Sequence, residues 1–284
     1  MRKRNRFGIF TLVLILSLCG CTQDKIPMSS SSDVQKEQDT LPEAEITPEE
    51  EPFLYGYQNL NEEEKTRYRQ ILAGIENYED SVTVEACSEE EINKVSNLVF
   101  VDHPEIFWLE QQNYSFNQKE NSDVDLLELN LVYNMGKDEI EDTKQQIEAK
   151  AEEWSQELSN CENEYDKIKY VYEFLGKNVL YDSESENNQN IQSVFLNQST
   201  VCMGFAKATQ YLLVRNGIFC TLVTGKVIPE NMEHAWNLVR IGENYYYVDT
   251  TWSSSGFVPE EDSIQDFSYT YLCCTAQTLE RCTR

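Results

Sequence analysis

Apolar residues recur every three or four positions in three stretches between residues 51 and 160, and this spacing predicts three amphipathic helices. The first two begin at Asn61 and Ser88, each followed three positions later by glutamate, which is typical of a helix cap. The second should end before Pro104, because proline disfavours helical geometry in the preceding residue. The third covers 138–158. The inward-facing apolar residues are Tyr68, Ile71, Leu72, Ile75, Ile92, Val95, Leu98, Val99, Ile140, Ile147, Ala151, Trp154 and Leu158.

Period-two alternation marks the expected strands. "DLLELNLVY" places Leu127, Leu129, Leu131 and Tyr133 on one face, which predicts a half-buried strand. In the second half we predict a helix over 165–175 that breaks at Gly176, an extended segment "NVLYD", and a helix from Cys202 to the stop signal at Gly217. Further strands are expected at 218–224, 234–241, 245–251 and "DFSYTYLCC". Helices followed by neighbouring strands indicate an α+β protein.

Cys202 opens the predicted helix behind two candidate cap residues, Ser199 and Thr200. Unpaired backbone N–H groups and the helix dipole favour a thiolate at that position. The dipole contributes only ~0.3–1 kcal/mol, so a strong nucleophile also needs a cationic partner. In Cys–His enzymes that partner is a histidine, which a third group must orient.

His234 is one of only two histidines in the chain, and Asp249 follows it by fifteen positions. If 242–243 form a two-residue turn, Ile241 pairs with Asn244. The histidine and the aspartate then lie on one face of the sheet as diagonal neighbours, ~7–8 Å apart at Cα. A three-residue loop would place them on opposite faces. With the shorter turn, Asp249 is predicted to hold the imidazole that activates the cysteine.

Each of these three residues also has a structural interpretation: a core cysteine, a satisfied strand histidine and a strand-end aspartate. Their order and their compatible strand parity favour catalysis. His103 has no evident partner and is interpreted as structural. Two histidines without ligand spacing disfavour a metal site, and no cofactor is expected.

The first residues carry a targeting signal. Basic "MRKRNR" precedes the apolar run 7–18 and then "LCGC", which is typical of a secretory signal and too short to span a membrane. Segment 1–21 is thus predicted to be a lipoprotein signal peptide, whose end resembles a bacterial lipobox with Cys21 as the lipidated first residue of the mature protein. Plain secretion and an uncleaved anchor are the alternatives. Residues 22–50 contain few apolar side chains that could be buried, which predicts a disordered tether. Its root-mean-square end-to-end distance would be about 30 Å.

The chain is strongly acidic, with a formal net charge of −27. Such a body repels nucleic acid and anionic lipid, so neither is expected as a direct partner. Beyond Cys21 seven cysteines remain, an odd number without recurring spacing, so the sequence predicts neither a disulfide framework nor a metal knuckle.

Three segments, "TVCMGFAKATQYLL", "EHAWNLV" and "YYYVDTTW", resemble the signature blocks of the transglutaminase-like superfamily, relatives of papain-like cysteine proteases. The resemblance implies a papain/transglutaminase-like core over 161–284, in which a helix bearing the cysteine packs on an antiparallel sheet. By it, Cys202 is the nucleophile, His234 the general base and acid, and Asp249 the orienting carboxylate. Region 51–160 resembles the helix-rich accessory region of such surface lipoproteins from Gram-positive bacteria.

These features together predict a lipid-anchored thiol enzyme on the extracellular face of the cell membrane. It would act on amide bonds of protein or peptide substrates through a thioester, by acyl transfer or hydrolysis. A cysteine peptidase of the same fold and a non-catalytic surface binding module are the alternatives. The sequence departs from the family pattern at Thr200, where glycine is common, and at Met203, where a polar residue is usual. Neither departure removes a triad residue, and a second oxyanion donor is not identified.

Overall fold

The structure is a computed structural model. It describes residues 41–109, 116–119, 126–227, 231–253 and 267–282, and for 116–119 and 280–282 only the secondary structure. Residues 40–284 form one compact unit. The predicted signal segment, including Cys21, and the tether up to residue 40 lie outside the described residues. Among the described helices, none combines the length and the apolar character that a membrane span requires.

The predicted tether is too long at its C-terminal end, because residues 41–50 pack on the fold. Ala44 is buried, and its backbone N–H donates to the carbonyl of Arg69 at 2.9 Å. Glu43 forms an ion pair with the guanidinium of the same arginine at 2.7 Å. These contacts of Ala44 and Glu43 with Arg69 hold the segment on the fold, although its composition is typical of disorder.

The region before residue 160 combines helices with a small antiparallel sheet. Its helices are α1 (Tyr55–Gln58), α2 (Glu62–Glu76), α3 (Glu89–Asp102) and α4 (Lys137–Ser155). Its strands β1 (Ser81–Glu85), β2 (Phe116–Lys119) and β3 (Leu126–Asn130) are ordered β1-β3-β2. Asn61 and Ser88 cap α2 and α3 through their side chains, as predicted. His103 leaves helical geometry ahead of Pro104, also as predicted.

The second half holds the remaining elements. They are α5 (Glu164–Asn178), β4 (Leu180–Tyr181), β5 (Ser199–Thr200), α6 (Cys202–Arg215), β6 (Cys220–Val227), β7 (Met232–Ile241), β8 (Asn244–Val248) and α7 (Ala276–Cys282). Strands β4 and β5 pair in parallel, and β6-β7-β8 form an antiparallel sheet. Helix α6 packs on β6 and β7. The predicted α+β architecture, a cysteine-bearing helix on an antiparallel sheet, is therefore present.

Helix α5 does not break at Gly176 as predicted but continues to Asn178. The glycine serves close packing, because a Cβ added there would lie 1.9 Å from the Oγ of Ser253. Ser253 belongs to the 3₁₀ turn Thr250–Ser253. The absence of a side chain in α5 thus lets this turn approach the helix.

Two strand predictions near the end of the chain are wrong. Strand β8 ends at Val248 instead of Thr251, since the backbone N–H of Asp249 donates to the carbonyl of Tyr271 and the chain then turns. In "DFSYTYLCC" the described residues form no continuous strand. Cys273 has a φ of +50°, a left-handed conformation that interrupts extended structure, and only Cys274 bridges to β8.

Buried apolar residues from both regions form one continuous core. A hydrogen bond joins them across it, from the Gln210 side chain of α6 to the carbonyl of Val101 in α3 at 2.7 Å. The domain boundary at residue 160 stays a prediction.

Candidate active site

Cys202 is the first residue of α6, and its side chain is partly exposed. Val201 precedes it in an extended conformation, with φ −112° and ψ −174°. Cys202 therefore stands where the backbone N–H groups of the first turn point away from the helix, which favours negative charge on the sulfur.

The two expected cap residues do not cap this helix. Ser199 and Thr200 form β5 instead, and among the described contacts the N-cap residue Val201 makes no side-chain cap bond. Thr200 is fully buried; its hydroxyl accepts from the Ser193 hydroxyl at 2.7 Å and donates to the carbonyl of Asn188 at 3.0 Å. These bonds fix the segment immediately before the cysteine. The short turn of π-helix over Ser193–Asn197 that supplies the serine was missed by the sequence pattern.

The turn between β7 and β8 has the predicted length. Ile241 pairs with Asn244, and Gly242 has a φ of +56° while Glu243 has an ordinary negative φ, which fits a type II′ turn. The turn is also held at its base, because the Gly242 N–H donates to the Glu164 carboxylate at 2.8 Å. The register that results is the one that places His234 and Asp249 near each other.

His234 and Asp249 form a hydrogen bond of 2.7 Å between Nε2 and Oδ2. Both side chains are buried, at 6% and 2% exposure. The second carboxylate oxygen, Oδ1, has no hydrogen-bond partner among the described residues. The Cys202 side chain also hydrogen-bonds to the imidazole. Because Nε2 is engaged by the carboxylate, Nδ1 is the nitrogen left for the sulfur.

The environment of His234 favours its protonated form. Burial lowers its pKa, but the hydrogen bond to Asp249, the hydrogen bond to Cys202 and the negative charges of both partners outweigh burial and raise the pKa to about 9. An imidazolium next to Cys202 in turn favours the thiolate. At neutral pH the site therefore holds a protonated imidazole that is hydrogen-bonded to the Cys202 side chain.

Two indole rings flank the imidazole, which sequence reasoning missed. Trp236 lies with its ring centroid 5.8 Å from that of His234 at an interplanar angle of 27°, and Trp252 lies at 5.3 Å and 37°. Gly225 makes room for Trp236, since a Cβ there would lie 2.7 Å from the indole. The positions of the two tryptophans in the sequence could have indicated these contacts. Trp236 shares a strand face with His234, and Trp252 follows Asp249 by three residues.

Polar contacts tie the strands and the turn to α6. Asn237 is fully buried and its amide donates to the carbonyl of Ala206 at 3.0 Å. The hydroxyls of Thr209 and Thr250 are 2.9 Å apart and hydrogen-bonded. These contacts fix the helix that carries Cys202 against the elements that carry His234 and Asp249.

Four cysteines outside this site have thiols that ionise less readily than usual. Burial raises the pKa of Cys87, Cys161 and Cys220, and raises that of Cys273 to about 12. Within the ranges that the structure covers, there is no cluster of three or more His, Cys, Asp or Glu suited to a metal ion.

His103 has a partner, contrary to the prediction. Its Nδ1 lies 2.8 Å from the Glu105 carboxylate, and burial is outweighed by that carboxylate and its neighbours, so its pKa is raised. The two residues are separated by Pro104 only, a local contact that strand and helix patterns do not reveal. His103 is not part of the triad.

Comparison with known proteins finds similarity in the region of this site. Residues 152–250 match the family model described as the transglutaminase-like superfamily, and the match includes all three residues of the site. The kyphoscoliosis peptidase of Mus musculus is 24% identical over 127 residues, covering 39% of this chain and 19% of that protein. The chain thus spans about a fifth of the length of this curated relative.

Two solved structures are also similar. A TGase shares 16% identity over 66% of this chain and 54% of its own, with a TM-score of 0.36. A proposed cysteine protease from Cytophaga hutchinsonii shares 17% identity over 49% of this chain and 62% of its own, with a TM-score of 0.34. The region 152–250, which contains Cys202, His234 and Asp249, thus resembles the transglutaminase-like superfamily.

Proposed function

We propose that this protein is a thiol enzyme that acts on carboxamide or peptide bonds through Cys202, His234 and Asp249. The observation that carries the proposal is the contact of Cys202, at a helix start, with an imidazole whose other nitrogen is held by a buried carboxylate at 2.7 Å. A nucleophile, a base and an orienting group in this order are the requirements for covalent acyl transfer.

In the first half of the reaction, the Cys202 thiolate attacks the substrate carbonyl and a tetrahedral oxyanion forms. His234 gives its proton to the leaving nitrogen, the C–N bond breaks, and a thioester remains on the sulfur. In the second half, the neutral imidazole takes a proton from water or an amine, which attacks the thioester and releases Cys202. Water gives hydrolysis, and an amine gives acyl transfer.

Asp249 keeps the imidazole oriented throughout, because its Oδ2 engages Nε2 and leaves Nδ1 for the sulfur. The indoles of Trp236 and Trp252 limit rotation of the ring and restrict access of water to it. The backbone N–H of Cys202 is one donor suited to the oxyanion, since a helix start directs its N–H groups outward.

The protein or peptide substrate and the place of action are further parts of the proposal. The targeting signal in the sequence supports export, with lipidation of Cys21 anchoring the enzyme to the outer face of the cell membrane. The transglutaminase-like core supports amide-directed chemistry. A cysteine peptidase would use the same residues and differ in substrate alone.

The decisive experiment is alkylation with iodoacetamide at neutral pH, followed by peptide mapping. Cys202 should react at least about tenfold faster than Cys161, which has no imidazole beside it, since 1.36 kcal/mol of preference for the thiolate is a factor of ten in its population. His234→Ala should reduce the Cys202 rate to that of an ordinary thiol. His103→Ala, the matched histidine control outside the site, should leave it unchanged.

Analysis of the products distinguishes hydrolysis from acyl transfer. A glutamine-containing peptide is incubated with and without a primary amine, and ammonia, amine incorporation and backbone cleavage are measured by mass spectrometry. Expected products disappear in Cys202→Ala. If Cys202 alkylates no faster than Cys161 and no thioester forms with any peptide, the enzyme proposal fails and the binding-module alternative replaces it.

A further inference from the structure

A cavity of about 790 Å³ lies apart from the triad, between the N-terminal segment, α2, α4 and α6. Its volume is in the range of ligand-binding pockets. The part of α6 that lines it begins at Tyr211, nine residues after Cys202, which is about 13 Å along the helix at ~1.5 Å per residue. The cavity is therefore a different site from the one that holds the thiol.

The floor of the cavity is apolar. Phe53 and Val214 line it and are only partly buried, so that a guest can still contact them. Trp108, Ile147 and Ile191 lie deeper and are buried. Covering such a surface with the apolar side chain of a guest is favourable, at ~25 cal/mol for each Å² removed from water.

The rim of the cavity is acidic. Glu45, Glu49 and Glu76 stand exposed on it, and within the described ranges none of them forms an ion pair or a hydrogen bond. The three basic side chains of the lining are already engaged. His103 pairs with the Glu105 carboxylate at 2.8 Å. Arg215 makes two hydrogen bonds with the Glu148 carboxylate, and Lys144 contacts Tyr78 and Glu141.

We propose that this cavity binds a basic segment of a partner polypeptide, with an apolar side chain on the floor and lysine or arginine side chains at the rim. The unpaired carboxylates come from the N-terminal segment and from the end of α2, so they surround the floor from more than one side. Several cations spaced along a peptide complement this arrangement. Opposite charges at a rim steer such a partner and select against acidic ones.

Synthetic peptides test the pairing of charge with apolar anchor. Fluorescently labelled KLKFLK, ELEFLE and KSKSSK are titrated into the full chain carrying Cys202→Ala, and the dissociation constant is measured by anisotropy at about 0.15 M salt. KLKFLK should bind with saturation, ELEFLE should not bind, and KSKSSK should bind at least about tenfold more weakly because it lacks apolar anchors. Because the thiol is absent, the result is independent of the proposed chemistry.

Variants locate the binding. Glu45→Gln with Glu49→Gln should weaken KLKFLK by about threefold to tenfold, the range for two exposed ion pairs. Glu89→Gln with Glu90→Gln, exposed acids at the start of α3 outside the cavity lining, is the matched control and should have no comparable effect. The proposal is overturned if the two double variants weaken binding equally, if KSKSSK binds as well as KLKFLK, or if no saturable binding occurs. Equal weakening would mean general attraction to a chain of net charge −27.

Discussion

The pair His234–Asp249 determines how firmly the imidazole holds its proton. Its pKa is raised to about 9 from 6.5 against the opposing effect of burial, by hydrogen bonds to the aspartate and to Cys202 and by their charges. Removing either partner should therefore lower it. We expect Asp249→Asn and Cys202→Ala each to move the pKa of His234 from about 9 toward 6.5.

NMR titration of the imidazole protons measures this change. With two histidines in the chain, His103→Asn assigns the signals. The same titration of His103 in the Asp249→Asn protein is an internal control and should not change. A His234 signal that titrates at the same pH in all three proteins would refute the assigned hydrogen-bond pattern.

The raised pKa of His234 also makes stability depend on pH. The folded protein binds the proton more tightly than the unfolded chain, so the stabilisation is complete below the unfolded pKa of 6.5 and is lost as the pH rises through about 9. We expect the charge-linked advantage of wild type over His234→Asn to shrink by on the order of 1–3 kcal/mol across this window. Urea unfolding at several pH values measures the difference. If the gap between the two proteins stays constant from acid to alkaline pH, the raised pKa is wrong.

At this scale, the sequence was sufficient to predict that Cys202, His234 and Asp249 lie together, but it did not predict the side chains around them. Residue order, the parity of a two-residue turn and the rarity of histidine selected Cys202, His234 and Asp249. Contacts such as Trp252 with His234 depend on how the chain turns after β8, and no local period encodes that. The same reason explains why Ser199 was taken for a cap.

Among the elements, α5 shows how a packing requirement overrides a helix-breaking residue. Replacing Gly176 by alanine should favour the helical conformation by ~1 kcal/mol through helix propensity. The added Cβ, however, would lie 1.9 Å from the Ser253 Oγ. We expect net destabilisation of about 1–3 kcal/mol, the usual cost of overpacking. Because the 3₁₀ turn directly follows Asp249, the proposed activity should fall as well.

Ser253→Gly removes the nearer of the two side chains that the new methyl group would meet, the other being Phe267 with its Cε2 at 2.9 Å. In a double-mutant cycle followed by urea unfolding, the two substitutions together should therefore be less destabilising than the sum of their separate effects. Additive effects would mean that the clash is not between these two residues. An increase in stability from Gly176→Ala alone would show that the helix–turn contact is looser than the structure has it.

Elements with a strong local period were predicted well, and elements defined by long-range contacts were not. Helices α2 and α3 begin at their predicted caps, α6 ends next to its predicted stop signal, and the bounds of α4 lie within a few residues of the prediction. The end of β8 and the irregular course around Cys273 depend on backbone bonds to distant segments, such as Asp249 to Tyr271. Local patterns contain no information on those bonds.

At the scale of the whole molecule, the apolar core stabilises the site, and the acidic surface restricts how the protein could bind a membrane. One continuous apolar core joins the N-terminal region to the transglutaminase-like core, so the helices before residue 160 contribute to the stability of the site. The acidic surface, with a net charge of −27, repels anionic lipid. Electrostatic adsorption therefore cannot hold this protein on an anionic membrane, and the proposed attachment requires a hydrophobic group.

The last prediction follows from that requirement. We expect the wild-type protein expressed in a Gram-positive host to fractionate with membranes, to incorporate an alkyne-labelled fatty acid, and to resist release by high salt, because burial of acyl chains is hydrophobic and insensitive to screening. Cys21→Ser should abolish the label and leave the protein soluble or unprocessed. Cys19→Ser, the neighbouring thiol that is outside the mature chain if Cys21 is its first residue, should be labelled and anchored like wild type. If wild type and Cys21→Ser are both soluble with the same mature N-terminus, the lipid anchor does not exist and the enzyme acts as a freely secreted protein.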